Sequence, residues 1–133
     1  MEFKLELIVV PVTDMDRAKA FYSEAVGFDV DVDHQAGDDF RVIQLTPRGS
    51  ACSITLMRNA ERAGLVQGLH LVVQDIEAAL SDLRSRGLDI SEVFHFEATG
   101  QTPGLAPQRG NYESFASFSD PDGNGWLLQE VKR

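Results

Sequence analysis

The 133-residue chain holds a single cysteine, Cys52, and no apolar run of membrane-spanning length. One cysteine excludes an intramolecular disulfide and any cysteine-rich zinc site. A spanning helix needs about 20 predominantly apolar residues, so no membrane partner is expected. Positive charge is scarce: 12 Lys and Arg against 21 Asp and Glu leave a net charge of −9. Nucleic acid calls for a basic face to meet its phosphates, and is excluded as a partner. The opening Met1-Glu-Phe-Lys-Leu-Glu-Leu lacks the basic and apolar regions of a secretory leader. The expectation is a cytoplasmic protein.

What the chain does have is an internal echo. Asp14-Met-Asp-Arg-Ala-Lys-Ala-Phe-Tyr opens one amphipathic stretch and Asp75-Ile-Glu-Ala-Ala-Leu another, each after an apolar run (Leu7 to Val12, Leu69 to Val73). Each stretch ends at a glycine and an apolar residue, Gly27-Phe28 and Gly87-Leu88. Gln44 to Met57 lies without a gap over Phe118 to Val131, Pro47 meeting Pro121 and Gly49 meeting Gly123. A repeat of this kind dictates architecture. It predicts one domain over 1–133, with βαβββ modules at 1–58 and 68–133 and a polar linker at 59–67.

Local patterns fill in the elements. Met15, Ala18, Phe21, Tyr22 and Val26 share one helical face after an Asp14 N-cap, and Ile76, Ala79, Leu80 and Leu83 share another after Asp75. Phe28, Val30 and Val32 alternate with Asp29, Asp31 and Asp33, which predicts a half-buried strand with its acids in solvent. Strands are also expected over 40–46, 52–57, 90–96, 112–118 and 126–131. Residues 97–111 carry glycine and proline without periodicity, so they read as a lid or loop tip.

The repeated plan, the Asp-x-x-x-Ala-x-x-Phe-Tyr helix start and the Asp120-Pro-Asp-Gly-Asn turn together resemble the vicinal oxygen chelate superfamily. This is the glyoxalase, bleomycin-resistance and extradiol-dioxygenase group. The resemblance implies an α+β fold in which tandem βαβββ modules form a cup-shaped sheet around a ligand, often in a homodimer. It also implies four metal-ligand positions, which fall on Leu7, Ser53, Gly68 and Leu127. None of these can grip a cation in that scheme, so no metal and no cofactor are expected. A shift of two residues keeps the same strand faces and gives Val9, Thr55, His70 and Gln129. His70 and Gln129 can ligate, but Val9 is a poor ligand and Thr55 little better.

His70 stands between Leu69 and Leu71 on a strand expected to line the cup. A neutral imidazole there suits a general base or a hydrogen-bond anchor; the plainer reading is a core histidine bonded to a carbonyl. Gln44, Thr55 and Gln129 are candidate ligand-orienting groups, Trp126 a stacking surface, and Arg41 or Arg109 a partner for a carboxylate. Tyr22, Tyr112, Phe115 and Phe118 add aromatic surface, mostly core. His34 and His95 occupy matching strand ends, where solvation or turn capping is the ordinary role, though a three-histidine site with His70 is conceivable. Cys52 reads as a small buried residue and Glu130 as a solvent or interface acid.

The leading expectation is a protein that acts on or binds a small oxygenated or aromatic molecule without a catalytic metal. The alternatives are a drug- or metabolite-sequestering binder and a metal-dependent lyase or dioxygenase with shifted ligands.

Overall fold

A computed structural model describes residues 1–133. The fold is α+β, with a four-stranded and a five-stranded sheet. The chain divides into two compact units, Met1–Val66 with Asp120–Asn124, and Gln67–Ser119 with Gly125–Arg133. No helix is long and apolar enough to cross a membrane.

In the first unit β1 (Leu7–Val12), β2 (Asp29–Ala36), β3 (Phe40–Thr46) and β4 (Ser53–Arg58) take the order β1-β4-β3-β2, with β1 parallel to β4. The helix α1 (Met15–Ala20) starts where the Asp14 carboxylate accepts the Arg17 N–H at 3.0 Å. It then widens into a π-helical turn, Phe21–Val26, which closes at Gly27. Met15, Ala18 and Tyr22 pack with Val10, Val12, Ile43, Leu45, Ile54 and Leu56 into a core sealed from solvent. Full burial of each large member contributes about 1.5–3 kcal/mol.

β2 departs from its expected alternation. A bulge at Asp31 separates Val30, paired with Leu45, from Val32, paired with Gln44. Leu45 and Gln44 are neighbours on opposite faces of β3, so the two valines also part company. Every residue of β2 is exposed, which corrects the half-buried reading.

The second unit holds β5 (Leu69–Val73), α2 (Ile76–Ser85), β6 (Phe94–Glu97), β7 (Gly100–Pro103), β8 (Phe115–Ser119) and β9 (Gly125–Glu130), in the order β5-β9-β8-β6-β7. Asp75 caps α2 by accepting the Ala78 N–H at 3.1 Å. The strand expected over 90–96 begins only at Phe94, and Ile90 is buried without strand structure. Residues 97–111 are not one loop. Gly100–Pro103 pairs with β6 as a hairpin, Phe94 opposite Pro103 and Glu97 opposite Gly100.

The Asp120–Asn124 turn works as a hub of the first unit. Asp120 Oδ1 accepts the N–H groups of Asp122 and Asn124 at 2.9 Å each, and its Oδ2 accepts from the buried Tyr22 hydroxyl at 2.8 Å. Asn124 is sealed from solvent; its amide donates to the Pro11 carbonyl at 2.8 Å and accepts from the Gly64 and Val66 N–H groups at 3.0 and 3.2 Å.

Candidate functional site

Each sheet has one face against its own helix and an opposite, open face. In the second unit Ile76 N–H donates to Glu130 Oε2 at 3.0 Å, which puts Glu130 on the α2 side of β9. Alternation then places Leu128 and Trp126 on that side, and Leu127 and Gln129 on the open one. Register sets His70 opposite Leu127 and Val72 opposite Gln129, while β8 contributes Ser117 and Phe115 beside them. His70, Gln129 and Phe115 therefore share one surface floored by Val72 and Leu127.

His70 is exposed, and its Nδ1 lies 2.7 Å from the Gly68 carbonyl oxygen. A carbonyl can only accept, so Nδ1 carries a proton and donates it, and Nε2 is the ring nitrogen left without a partner in this contact. Gln129 donates its amide to the Tyr112 carbonyl at 3.3 Å, which leaves its side-chain oxygen as an acceptor. Gln44 and Thr55 are direct cross-strand partners on the face of the first sheet away from α1, where Gln44 is half-buried and Thr55 is buried. Thr55 donates to the Ile43 carbonyl and Gln44 to Ser53 Oγ, each at 3.4 Å.

Two sequence candidates lie elsewhere. Trp126 is 4% exposed and stacks on Phe118, with ring centroids 6.0 Å apart, on the face opposite His70. Arg41 lies on the α1 side of β3. Its guanidinium grips Asp33 at 3.0 and 2.9 Å and Asp16 at 2.7 Å, and Lys19 adds a 2.8 Å contact to Asp33. That hydrogen bonding holds the Asp33 carboxyl far below the usual carboxylate range and pushes the Arg41 value up. Arg41 is a brace between β2, β3 and α1.

Register also corrects the metal-ligand assignment. Leu7 faces Ser53, but it is His70, not Gly68, that faces Leu127. Gly68 precedes β5 altogether. Within the first unit neither Leu7 nor Ser53 is an ordinary ligand for a divalent ion, and within the second His70 faces an apolar leucine. No three His, Cys, Asp or Glu side chains gather as a metal would need. His34 belongs to the first unit and pairs with Val42, whereas His70 and His95 belong to the second.

His95 is 5% exposed rather than solvated. Its Nδ1 donates to the Gly104 carbonyl at 2.7 Å and its Nε2 to Glu97 at 2.5 Å, and these two acceptors, the carbonyl first, raise its pKa. Glu130, expected in solvent or at an interface, has no exposure. It receives the Arg109 guanidinium at 3.0 and 2.9 Å, chiefly through which its carboxyl is held below the ordinary value. Arg109 is thus the pin of a strap. Tyr112 N–H donates to the Glu130 carbonyl, Lys132 N–H to Asn111, and Ala106 N–H to Ser114 Oγ, so residues 106–114 are anchored and form no free lid.

Sequence reasoning passed over Phe94 and Phe96, which join Phe115 in an aromatic cluster. The Phe94 and Phe115 rings stack at 5.8 Å, and Phe96 meets Phe115 edge-on at 5.3 Å. The Phe-His-Phe alternation at 94–96 was the signal for it.

Comparisons with known proteins agree with this architecture. The model of the Glyoxalase/Bleomycin resistance protein/Dioxygenase superfamily matches residues 4–128. Among solved structures, TnmS3, an antibiotic binding protein from Streptomyces sp. CB03234, is 32% identical at a TM-score of 0.75, covering 98% of this chain and 97% of its own. A glyoxalase/bleomycin resistance protein from the same strain is 33% identical at a TM-score of 0.72, covering 96% of this chain and 100% of its own. The uncharacterized protein YetH of Bacillus subtilis (strain 168) is 28% identical over 126 residues, 92% of this chain and 94% of that protein. A family match over nearly the whole length, on a fold of two βαβ-type units, makes this chain a member of the Glyoxalase/Bleomycin resistance protein/Dioxygenase superfamily.

Proposed function

We propose that the protein binds a small, flat, oxygenated organic molecule on the open face of its second unit and holds it without a catalytic metal. The observation that carries this reading is that register puts two polar side chains, His70 and Gln129, on one sheet face beside the apolar Leu127, Val72 and Phe115. Such a surface suits an aromatic ring bearing a hydroxyl donor: the floor removes ring area from water and the imidazole accepts the proton-bearing oxygen. A neutral His70 can also act as a base toward that hydroxyl. In the first unit the half-buried Gln44 is a polar group of the same kind. The likeness to an antibiotic binding protein supports a binder over an enzyme.

The test is titration with 2-naphthol, followed by its recovery. Wild-type protein should bind and return it unaltered, and His70→Ala should weaken binding about tenfold, the loss of one hydrogen bond to an otherwise apolar ligand. Unchanged affinity in His70→Ala would remove the anchor from this reading. Chemical conversion of the naphthol would replace binder with enzyme.

The protein also acts as a homodimer in this reading. Met1, Phe3 and Leu5 are 106%, 87% and 69% exposed and alternate with Glu2, Lys4 and Glu6. This is the pattern of a half-buried strand with no partner in its own chain, and it runs on into exposed Leu7 and Val9 on the same side of β1.

A further inference from the structure

The one Asn–Gly dipeptide of the chain, Asn124-Gly125, stands at the end of the Asp120–Asn124 turn. Asn–Gly is the most readily deamidated of asparagine linkages, because glycine puts no side chain beside the backbone nitrogen that attacks the amide. Here both residues are fixed by the fold. The Asn124 amide uses its full hydrogen-bonding capacity: Nδ2 donates to the Pro11 carbonyl and to Asp120 Oδ2 at 2.8 Å each, and Oδ1 accepts from the Gly64 and Val66 N–H groups. Among side chains of this size only a carboxamide offers two donors and two acceptor lone pairs. Gly125 is buried, and a Cβ there would lie 2.1 Å from Gln67 Oε1. The turn thus needs the labile pair for its own packing.

In the folded protein the pair is inert on two counts. Attack on Cγ makes the planar amide tetrahedral and pulls both its heteroatoms out of line with four partners. Asn124 also has no solvent exposure, so no water reaches the site to complete the reaction. Unfolding removes both barriers. The Gly125 nitrogen then gives up its proton and bonds to Cγ, the Cγ–Nδ2 bond breaks, and ammonia leaves a five-membered succinimide behind. Water adds to either of its carbonyls, giving aspartate or isoaspartate at 124, and nothing is oxidised or reduced.

We propose that Asn124 is a deamidation site that folding closes and unfolding opens, and that its product is shut out of the native state at neutral pH. An aspartate at 124 keeps an acceptor for Gly64 and Val66. Its second oxygen, however, stands where Nδ2 was, 2.8 Å from Asp120 Oδ2 and from the Pro11 carbonyl. Three acceptors then face one another with no donor between them, two of them on carboxylates, and burial leaves no water to separate them. An isoaspartate adds a backbone carbon to the turn and loses the side-chain amide as well. Each opening of the chain is therefore a chance of permanent loss, and the deamidated fraction counts the time spent open.

Full-length protein held at mildly alkaline pH in buffer and in urea, then digested and read by mass spectrometry, decides it. Peptides carrying Asn124 should gain the mass of amide-to-acid conversion in urea. In buffer the gain should be at least about a hundredfold slower, since a stable domain is open for far less than that share of the time. On dilution from urea to neutral pH, the refolded fraction by circular dichroism should fall in step with the deamidated fraction and consist of unmodified chains. Gly125→Ala needs no positive φ and displaces only the end of the Gln67 side chain. It should slow deamidation at least about tenfold in urea, a readout that does not depend on folding. Asn124→Asp, made directly, should refold no better than the aged chain. Equal rates in buffer and urea, deamidation confined to Asn59 and Asn111, undiminished deamidation in Gly125→Ala, or aged chains that refold as well as fresh ones overturns the proposal.

Discussion

At Glu130 the chain places a carboxylate with no solvent exposure under the first turn of α2. Its oxygens satisfy the Ile76 N–H and accept from Nε and Nη2 of Arg109. Truncation leaves a backbone donor unpaired and strips the guanidinium of its shortest bonds, with only the 3.4 Å contacts to Asp75 and Glu77 remaining. Glu130→Ala should cost about 3 kcal/mol in urea unfolding, toward the lower end for a broken buried pair because Arg109 keeps one-third exposure. Glu130→Gln retains an acceptor for Ile76 and should cost less. Because Arg109 depresses the folded-state pKa, the carboxylate's contribution is complete above about pH 4.5 and is lost as pH falls through the lowered value. Unfolding midpoints measured from pH 6 downward should therefore decline in acid, and Glu130→Gln should flatten that slope.

Gly64 is constrained just as tightly by space. Its φ is +85° and a Cβ would lie 2.2 Å from the Asp122 carbonyl oxygen, a backbone atom that cannot step aside. Gly64→Ala should cost more than about 2 kcal/mol by thermal or chemical unfolding, since strain and a clash add. Neither residue is conspicuous in the sequence. Glu130 reads as one more surface acid until Arg109, 21 residues earlier in the chain, is brought over it.

Among the elements, the β6–β7 hairpin carries its own pH response. His95 gains two acceptors on folding, so its folded-state pKa rises above the ordinary 6.5. The stabilisation is present in full below about pH 6.5 and disappears as pH rises through the raised value. Proton NMR of the His95 ring should show titration above 6.5. Glu97→Gln should lower that value without restoring it fully, because the Gly104 carbonyl remains. Amide exchange in residues 94–103, corrected for intrinsic rates, should speed up once the ring is neutral.

The elements also show how far sequence patterns reach. Both helices stand where the apolar spacing put them, and Asp14 and Asp75 cap them as expected. Caps and amphipathic faces are local, so ten or fifteen residues contain the whole signal. The bulge at Asp31 is different: it depends on how β2 meets β3, and no reading of 28–33 alone reports it. The β7 strand was hidden for the same reason, since Gly-Gln-Thr-Pro has little strand propensity and exists by pairing with Phe94–Glu97. Trp126 is an avoidable miss. Alternation from Leu127 already put it on the opposite side from the candidate site.

For the molecule as a whole, the unit boundary does not follow the chain. Asp120–Asn124 comes from the second half of the sequence but belongs to the first compact unit. There it meets the Tyr22 hydroxyl, the Pro11 carbonyl, Thr13 at 2.6 Å and the Gly64 and Val66 N–H groups. A fragment ending at Val66 keeps all of these groups but lacks the turn that pairs with them, and so leaves buried polar groups unsatisfied. It should fail to fold by circular dichroism and one-dimensional NMR, although it contains a complete βαβββ element order. The exposed N-terminal stripe makes a second prediction at this scale. Light scattering should report a dimer for the intact chain, and Phe3→Asp with Leu5→Asp should shift it toward monomer without unfolding it, because neither side chain is buried in its own chain.

The sequence by itself determined the family, the duplicated plan of a strand, a helix and further strands, and both helices with their caps. These follow from periodicity, punctuation and repetition, which the chain carries locally. Only the tertiary structure decided that Arg41 and Arg109 are structural pins, that Glu130 is buried, that His70 stands opposite Leu127, and that Phe94, Phe96 and Phe115 form one aromatic cluster. Each of those facts depends on register or on contacts between distant segments, and a pairing energy shared by two residues is not written in either of them alone.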